Sequence, residues 1–568
     1  MNERPNVILI LTDDQGYGDL GCHGHPFLKT PALDRLHAES VRFTDFHVTP
    51  MCAPTRGALM SGLDCMRNGA MATSLGRHLL RPELPTMANY FDDAGYRTGL
   101  FGKWHLGSSY PYRPMDRGFQ EALYHNGFGL TGIDEVWNND YYNPWYRHNG
   151  ELKRAKGYCT DLWFNEAMNW MEQCQEAETP FFTYLATNVP HFPMWIEDAY
   201  KEEFQQHTSR NDQKDPAGFY GMIVELDENM ARLDAFLTER GLKENTILIF
   251  ITDNGHAGGA LEIYNAGMKG GKCSRYEGGH RVPCFVRWPA GALRAPGDVA
   301  LPAQGQDMLP TLLDLCGIEP EKEPHFDGNS LAPTLRGDDA HLADRMFVVQ
   351  YFQNNWKKED ACVVWKQWRL VFGTELYDIQ KDPGQEYNVI SQYTEVAEAM
   401  RAFYEQWWAG VEPNLDRFSS LPLGTDAEPE LHVCSAEWMD VRADGAGSPR
   451  QLSAPSKRGG PWNLQVEKGG RYRVELRRYP RESGLRLEEA SPEFQAHAGK
   501  IEAGVPANIE SAVLELNGEP VANEPVKAPD FFAYEVDLEP GPARLHGWFK
   551  SDTGADTCGA FYGYIRRL

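Results

Sequence analysis

Short apolar runs alternate with longer amphipathic segments through the first 345 residues of the chain. Residues 7–11 and 247–251 are uninterrupted apolar runs of the kind found in strands buried on both faces. Residues 219–240 instead carry apolar side chains at helical spacing along one face. An alternation of buried strands and amphipathic helices is typical of an α/β fold, in which helices cover a central sheet. We therefore predict an α/β domain over residues 1–345.

The pattern changes after residue 345. Residues 346–412 contain short apolar strands in a hairpin arrangement and then a helix, which predicts a small antiparallel subdomain. Residues 413–462 are rich in Pro, Gly, Ser and Asp, which is typical of a linker or meandering loops. Residues 463–568 alternate polar and apolar positions between turn signals such as Asn517-Gly518, and they predict an accessory β-sandwich-like domain.

Residues 110–149 form an insertion rich in aromatic side chains. A long irregular segment within a compact domain is usually functional or disordered. Its rings, among them those of Trp137 and Tyr141, are suited to stack on sugars. They are equally suited to cover the sheet, so the pattern leaves both interpretations open.

Composition excludes some classes of partner. At 568 residues the chain is long enough for two or three structural units, and its formal net charge is −26. Nucleic acids and anionic membranes select basic surfaces, so neither is expected to bind this chain. An anionic substrate would need a local group of cations, because long-range fields are screened beyond about 8–10 Å in salt. The sequence has no apolar window of about 18 residues that would predict a membrane span.

The N-terminus and the cysteines bear on cellular location. Residues 1–5 lead directly into the first predicted strand without a signal peptide. This predicts a cytoplasmic protein, or a periplasmic or secreted one if the chain has been trimmed. The eleven cysteines are odd in number and form no CxxC pair, so a disulfide framework is not expected, although pairing among ten of them stays open.

Adjacent oxygen-bearing side chains follow two of the predicted buried strands. Asp13 and Asp14 come after the first strand, and Asp253 and Asn254 come after residues 247–251. In open α/β sheets, ligands bind at the carboxyl ends of the strands. Carboxylate and amide oxygens suit Ca²⁺ or Mg²⁺ rather than zinc. The sequence therefore predicts a site for a hard cation at this edge of the sheet.

Two further segments carry candidate catalytic residues. In Met51–Gly62, a Cys-x-Pro-x-Arg motif that begins at Cys52 leads into the predicted start of a helix. The N-terminus of a helix favours an anion, because its backbone N–H groups are unpaired. In Gly102–Gly107, a cation and an imidazole stand two residues apart, at Lys103 and His105.

These segments follow one another with several more motifs. The further motifs are Asn188–Pro193, Gly270–Lys272, Tyr276–Pro283, Gln306–Leu312 and Glu375–Asp378. In order and spacing they resemble the type I sulfatases of the alkaline phosphatase superfamily, in the group similar to arylsulfatase A, over about the first 410 residues. The resemblance implies a sulfuric ester hydrolase with an alkaline phosphatase-like central mixed sheet flanked by helices. It also implies that the small antiparallel subdomain closes the catalytic unit.

The resemblance further implies how the cysteine motif works. Cys52 is expected to be oxidised to formylglycine by a dedicated maturation enzyme that reads Cys-x-Pro-x-Arg. One hydroxyl of the hydrated aldehyde then attacks sulfur, and the other allows sulfate to be expelled. A Ca²⁺ ion, with Mg²⁺ as the alternative, is expected on Asp13, Asp14, Asp253 and Asn254, completed by the modified residue 52 and a substrate oxygen.

The remaining motif residues receive roles from the same resemblance. Arg56 lies about one helical turn after the cysteine, and it is expected to reach the residue-52 hydrate or the metal carboxylates. Lys103 and Lys272 are expected to hold the sulfate oxygens and the leaving group. His105 is expected to act as a base on the hydrate, and His191 is expected to protonate the departing alcohol.

The organic part of the substrate is less specified. Arg77, His78, His148 and His256 are guesses for residues that recognise it, and a solvated surface role suits each of them equally. A sulfated carbohydrate is the preferred substrate, because the aromatic insertion and the accessory β domain suit glycans. The alternatives are an arylsulfatase, a phosphonate or phosphodiester hydrolase using the same site, and a glycan-binding protein with a vestigial site. The sugar, the sulfate position, endo or exo action and a homodimeric state are left open.

Overall fold

The computed structural model describes residues 4–208, 215–322, 324–353, 356–442 and 457–568. Within them, ten strands form a mixed central sheet, so the predicted α/β fold is confirmed. From one edge to the other, the strands are Gly297–Val299, Val41–Phe43, Cys284–Arg287, Thr246–Thr252, Asn6–Thr12, Phe181–Ala186, Arg97–Lys103, Glu121–His125, Trp145–His148 and Glu151–Arg154. The strand Asn6–Thr12 is parallel to both of its neighbours.

Helices cover both faces of this sheet. The α-helices of the described residues are Pro31–Ala38, Cys52–Ser61, Cys65–Asn68, Met87–Asp93, Cys159–Glu176, Asp198–Lys201, Pro216–Glu239, Glu277–His280, Met308–Cys316, Ala332–Leu335 and Thr394–Val411. The 3₁₀ turns are Gly21–His23, Pro114–Arg117, Gln205–His207, Gly259–Glu262, Pro289–Gly291, Gly305–Asp307, Glu412–Asn414, Ser435–Glu437 and Arg481–Ser483. The amphipathic segment 219–240 therefore lies almost entirely within one observed helix.

Alternate side chains of the strand Asn6–Thr12 enter two different cores. Val7, Leu9 and Leu11 belong to one core. Ile8 and Ile10 belong to the other, and all five side chains are fully buried. Because this strand is buried on both faces, an apolar residue is favoured at every position, which explains the uninterrupted run in the sequence.

A four-stranded antiparallel sheet follows the central domain in the chain. Its strands are Met346–Val349, Cys362–Trp365, Trp368–Val371 and Glu375–Asp378. The helix Thr394–Val411 packs against this sheet through a shared apolar core. Smaller strand groups are Phe46–His47 with Arg281–Val282 and Ala303–Gln304, and Phe494–Gln495 with Lys500–Ile501.

Two largely antiparallel sheets form the C-terminal unit and share one core. The first contains Leu421–Leu423, Trp462–Val466, Gly541–Lys550, Ser511–Leu516, Glu519–Pro520 and Asp556–Gly559. The second contains Glu430–Cys434, Tyr562–Arg567, Gly470–Arg477, Phe532–Leu538 and Val526–Lys527. Strands at 421–423 and 430–434 fall in the interval 413–462, so the linker expected there is wrong for these residues. Residues 443–456 of that interval lie outside the described residues.

Two further features concern the chain as a whole. No helix in the described part of the chain is both long enough and apolar enough to cross a membrane. The eleven cysteines all fall within the described residues, and each is a free thiol.

Candidate active site

Two neighbouring parallel strands of the central sheet end side by side. Asp13 and Asp14 follow one strand, Asp253 and Asn254 follow the other, and all four side chains are buried. The backbone N–H of Asp14 donates to Asp253 Oδ1 at 3.1 Å, and Asn254 Nδ2 donates to Asp14 Oδ1 at 2.9 Å. The structure therefore brings together the four predicted protein ligands of the metal.

Two oxygen atoms of this group are buried without a hydrogen-bond partner, Asp13 Oδ1 and Asn254 Oδ1. Leaving a buried polar group unsatisfied costs about 1–3 kcal/mol, so such atoms at the ends of two strands indicate a missing positive partner. Ligand atoms within 4.8 Å of one another are offered by Asp13, Asp14, Cys52 and His191. The oxygens of Asp13, Asp14, Asp253 and Asn254 beside this group are carboxylate and amide donors, which fit a hard divalent cation.

Cys52 begins the helix Cys52–Ser61, as the proline-containing motif predicts. Its side chain is buried, and Lys272 Nζ lies 3.2 Å from the sulfur. Burial raises the pKa of the Cys52 thiol to about 12, although the positive charges of Lys103 and Lys272 act in the opposite direction. An unmodified thiol at this position is therefore neutral at pH 7 and a poor nucleophile.

Each of the first two carboxylates is paired with a lysine. Lys103 Nζ lies 2.6 Å from Asp13 Oδ2, and Lys272 Nζ donates to Asp14 Oδ1. Burial favours the neutral acid at Asp14, but the charges of Lys272 and His191 hold the pKa of this carboxyl well below its usual value. Both lysines thus lie at the predicted metal ligands and close to residue 52, where they supply the local positive charge that an anionic substrate would require.

Arg56 contacts the third carboxylate. Its Nη2 and Nε atoms donate to Asp253 Oδ2 at 2.8 and 3.2 Å, and Nη1 donates to the backbone oxygen of Lys103 at 3.1 Å. Burial and the negative charge of Asp13 raise the pKa of Asp253 to about 6, while Arg56 opposes this rise. Arg56 therefore reaches one of the predicted metal carboxylates.

His191 reaches the same site from the strand Phe181–Ala186, on the other side of the first strand. Its Nε2 lies 3.7 Å from Asp14 Oδ2, and its Nδ1 donates to the backbone oxygen of Phe192 at 2.7 Å. Burial lowers the pKa of His191 to about 3, although Asp14 favours the charged form. The imidazole is neutral at pH 7 and presents Nε2 to Asp14, one of the predicted metal ligands.

His105 follows the strand Arg97–Lys103 and has a φ of 61°, which is uncommon for a residue other than glycine. Its Nε2 donates to the backbone oxygen of Thr73 at 3.2 Å, and its Nδ1 is buried without a partner. Burial and the charge of Lys103 lower the pKa of His105 well below its usual value. The ring therefore keeps an unshared electron pair on Nδ1.

Comparison with known proteins decides the family. A family model described as Sulfatase matches residues 5–318, and a model described as N-sulphoglucosamine sulphohydrolase, C-terminal, matches residues 271–408. The chain belongs to the sulfatase family. The arylsulfatase A of Homo sapiens is 30% identical over 448 residues, which cover 68% of this chain and 83% of that protein.

Other relatives of this sulfatase have names that specify a sugar. The N-acetylgalactosamine-6-sulfatase of Canis lupus familiaris is 31% identical over 373 residues, which cover 60% of this chain and 68% of that protein. The crystal structure of Ps i-CgsB in complex with k-i-k-neocarrahexaose is 26% identical, has a TM-score of 0.65 and covers 73% of this chain and 98% of that chain. The predicted family and its enzyme class, a sulfuric ester hydrolase, are confirmed.

Arg77 and His78 contact the C-terminal part of the sulfatase. Arg77 Nε lies 2.7 Å from Asp440 Oδ1, and its guanidinium stacks over the ring of Phe418 at 4.0 Å. His78 Nε2 lies 3.9 Å from Glu437 Oε1. These contacts give the two residues a role in packing the C-terminal unit against the catalytic domain, which differs from the substrate contact guessed for them.

His148 and His256 also lie beside carboxylates. His148 Nε2 lies 2.6 Å from Glu121 Oε1 on the adjacent strand. His256 Nδ1 lies 2.6 Å from Asp19 Oδ2, and the backbone oxygen of His256 accepts a hydrogen bond from the N–H of Lys272 at 2.9 Å. His256 therefore supports the backbone that carries Lys272.

The contacts of the aromatic insertion bear on the two interpretations that the sequence left open. The ring of Trp137 lies 5.5 Å from that of Tyr479 in the C-terminal unit. Tyr141 is fully buried, and its hydroxyl donates to the backbone oxygen of His191 at 3.1 Å. These two rings cover the domain and support an active-site loop, which favours the packing interpretation for them.

A close backbone contact behind the metal ligands was missed in the sequence. The N–H of Gly255 donates to the oxygen of Gly279 at 2.9 Å, and a Cβ atom at position 255 would lie 1.8 Å from the oxygen of Gly278. The turn after Asn254 thus touches the helix Glu277–His280 directly. The sequence signal for this contact was the presence of glycines at Gly255 and at Gly278–Gly279, since glycine permits two backbones to approach closely.

Proposed function

We propose that this sulfatase hydrolyses a sulfated carbohydrate through a formylglycine derived from Cys52 and a bound Ca²⁺. The observation that carries the proposal is the pair of unpartnered oxygens, Asp13 Oδ1 and Asn254 Oδ1, in the buried group that includes Cys52. The sugar-specific names of the relatives support a carbohydrate substrate.

The metal ligands would be Asp13, Asp14, Asp253, Asn254 and the modified residue 52. Their oxygen donors and negative charge suit Ca²⁺, with Mg²⁺ as the alternative. A bound cation of this kind polarises the oxygens of a sulfate ester and lowers the pKa of a hydroxyl bound beside it.

Residue 52 requires a change of chemistry before it can act. The buried neutral thiol of Cys52 is a weak nucleophile. Formylglycine, once formed, supplies a hydrated aldehyde with one hydroxyl for attack and a second for release of sulfate. The proposed partner for this change is a maturation enzyme that reads the Cys-x-Pro-x-Arg motif.

The cationic side chains would orient the sulfate group. Lys272 Nζ lies 3.2 Å from the Cys52 sulfur, so its ammonium group faces the point where the sulfur of the substrate must arrive. Lys103 Nζ lies 2.6 Å from Asp13 Oδ2. Together they place positive charge beside the developing negative charge of the reaction.

Two neutral histidines would move protons. His105 Nδ1 holds an unshared pair because Nε2 donates to a backbone oxygen, so His105 is suited to accept a proton from residue 52. His191 must gain a proton before it can donate one to the leaving alcohol. Asp14, 3.7 Å away, and the arriving sulfate anion both favour that charged form.

The test is release of inorganic sulfate from a panel of sulfated oligosaccharides, aryl sulfates and phosphodiesters. The protein is co-expressed with a formylglycine-generating enzyme, and mass spectrometry of the peptide containing residue 52 reports its oxidation. We expect sulfate release from one class of sulfated saccharide and none from Cys52→Ala. Release from aryl sulfates alone would contradict the carbohydrate assignment, and cleavage of phosphodiesters alone would contradict the proposed reaction.

A further inference from the structure

A second group of metal-binding side chains lies on the loop that follows the first strand and on the helix after it. Cys22 and His23 belong to the 3₁₀ turn Gly21–His23, and His37 belongs to the helix Pro31–Ala38. One ligand atom from each residue lies within 4.8 Å of the others, and all three residues are half-buried. None of them belongs to the group of Asp13, Asp14, Asp253 and Asn254 at the ends of the two central strands, here called the oxygen-rich site.

The orientation of His23 is set by its surroundings. Its Nδ1 lies 2.6 Å from the backbone oxygen of Tyr17. Because a carbonyl oxygen can only accept, Nδ1 carries the proton, and Nε2 keeps its unshared pair for a metal. The imidazole stacks on the ring of Tyr17 at 3.9 Å, and burial lowers the pKa of His23 to about 4, so the ring is neutral at pH 7.

His37 and Cys22 are also held by neighbouring groups. The rings of His23 and His37 both meet the ring of Phe285 edge-on, at 5.7 and 5.2 Å. Asp34 Oδ1 accepts a hydrogen bond from the backbone N–H of Cys22 at 2.8 Å, which fixes the turn that carries the thiol. Carboxylates in this outer position orient metal-binding residues in many proteins.

We propose that Cys22, His23 and His37 bind a zinc ion, with water in the fourth position. One thiolate and two imidazoles suit zinc and disfavour Ca²⁺ or Mg²⁺, which need oxygen ligands. Binding forms a Zn–S bond and releases the Cys22 thiol proton to solvent. The ion joins the 3₁₀ turn to the helix.

This position links zinc to the catalytic site through one loop. The loop begins at Asp14 and reaches Cys22. Within it, Asp19 Oδ2 accepts from the N–H of Gly16 at 2.7 Å and lies 2.6 Å from His256 Nδ1. A metal at Cys22 therefore anchors the far end of a loop whose near end supplies a ligand of the oxygen-rich site.

The test uses Co²⁺ as a spectroscopic substitute for zinc on the full chain, with Ca²⁺ in excess to occupy the oxygen-rich site. A thiolate bound to Co²⁺ gives an intense near-ultraviolet charge-transfer band, and tetrahedral Co²⁺ gives visible bands. We expect both bands at one equivalent of Co²⁺ and their loss when one equivalent of Zn²⁺ is added. Cys22→Ser should remove the charge-transfer band, because the thiolate is lost. His37→Ala should remove the visible bands of tetrahedral Co²⁺.

Matched controls locate the ion. Cys52→Ala and Cys273→Ser, the latter at an exposed cysteine, should keep the spectrum unchanged. Circular dichroism verifies that each variant is folded. The proposal is overturned if the wild type gives no charge-transfer band, if the band survives in folded Cys22→Ser, or if Cys52→Ala abolishes it.

Discussion

Two buried clusters of charged and polar side chains differ in one decisive respect. The oxygen-rich site contains Asp13, Asp14, Asp253 and Asn254 with their lysine and arginine partners. The second cluster, here called the Arg369 cluster, contains Asp45, His47, Glu277, His280 and Arg369, all of them buried. Both contain groups of the types that bind metals, and both have side-chain atoms close enough together to do so.

In the Arg369 cluster the side chains satisfy one another. Arg369 Nε donates to Glu277 Oε1 at 2.7 Å, and its Nη2 donates to Asp45. His47 and His280 share a hydrogen bond between their Nδ1 atoms at 2.8 Å. Among the described residues, none of these five has a buried side-chain nitrogen or oxygen without a partner, whereas the oxygen-rich site has two such oxygens.

This difference shows that residue types alone do not distinguish a ligand-binding site from a structural cluster. At the oxygen-rich site the distinguishing feature is a pair of unpaired oxygens beside three carboxylates, since an unsatisfied buried polar atom costs about 1–3 kcal/mol that a bound cation would recover. The Arg369 cluster instead joins the strand Trp368–Val371 to the helix Glu277–His280, which touches the turn after Asn254. We therefore expect the oxygen-rich site to perform the chemistry and the Arg369 cluster to hold the backbone behind it.

Replacing Cys52 should remove catalysis with little effect on folding. In Cys52→Ala we expect kcat/KM for sulfate release to fall by about 10⁴-fold or more, because the nucleophile is lost. The unfolding midpoint in urea should stay close to that of the wild type. Cys284→Ala is the control, since this cysteine is also fully buried but lies on a strand of the core. It should lose stability and keep its activity per folded molecule.

Replacing Arg369 should give the opposite result. Arg369→Leu leaves Asp45 and Glu277 buried without their cation, so we expect the free energy of unfolding to fall by about 3–5 kcal/mol. The folded fraction should keep kcat/KM within about a factor of ten.

The control for that variant is Arg417→Leu, in which an exposed ion pair with Glu83 at 3.5 Å is lost. Exposed pairs contribute about 0–1 kcal/mol, so this change should be nearly neutral in urea unfolding. Equal stability of the two variants would mean that the Arg369 cluster contributes no more than a surface pair.

The oxygen-rich site was predictable because its signal is local. Each pair of predicted ligands follows an apolar run and one threonine, and parallel strands place their carboxyl ends at one edge of a sheet. Cys52 likewise lies two residues before a proline, at the start of a helix. Each of these signals can be read from the few residues around the position itself.

The Arg369 cluster and the early strands of the C-terminal unit lacked such a signal. Arg369 and Asp45 are 324 positions apart, and no spacing in the sequence links them. The strand Leu421–Leu423 is three residues long, and it is a strand only because Leu464 and its neighbours pair with it. Its composition is typical of a loop, so long-range pairing decided its structure.

Asn254→Ala tests whether the unpaired oxygen binds the metal. The variant removes Asn254 Oδ1, so we expect about 10–100-fold lower activity at limiting Ca²⁺, recovered when Ca²⁺ is raised. Asn188→Ala is the matched control, because Asn188 is equally buried but its Oδ1 already accepts from Trp163 Nε1 at 3.0 Å. Calcium titrations of sulfate release should shift only for Asn254→Ala, and a shift of equal size in both variants would contradict this role.

His280→Gln should make the stability of the enzyme less sensitive to acid. Burial and the nearby His47 lower the pKa of His280 to about 3, below its usual 6.5. Between those values the unfolded chain binds a proton at this residue and the folded chain does not. The free energy of unfolding therefore falls as pH drops below 6.5, by up to about 1.4 kcal/mol per pH unit.

His280→Gln should remove this part of the pH dependence, measured by urea unfolding from pH 6.5 to 5. The control is His325→Gln, at a side chain that is 84% exposed, and it should keep the pH dependence of the wild type. Identical slopes in all three proteins would mean that His280 is protonated in the folded state, and the Arg369 cluster would then be less completely paired than its geometry indicates.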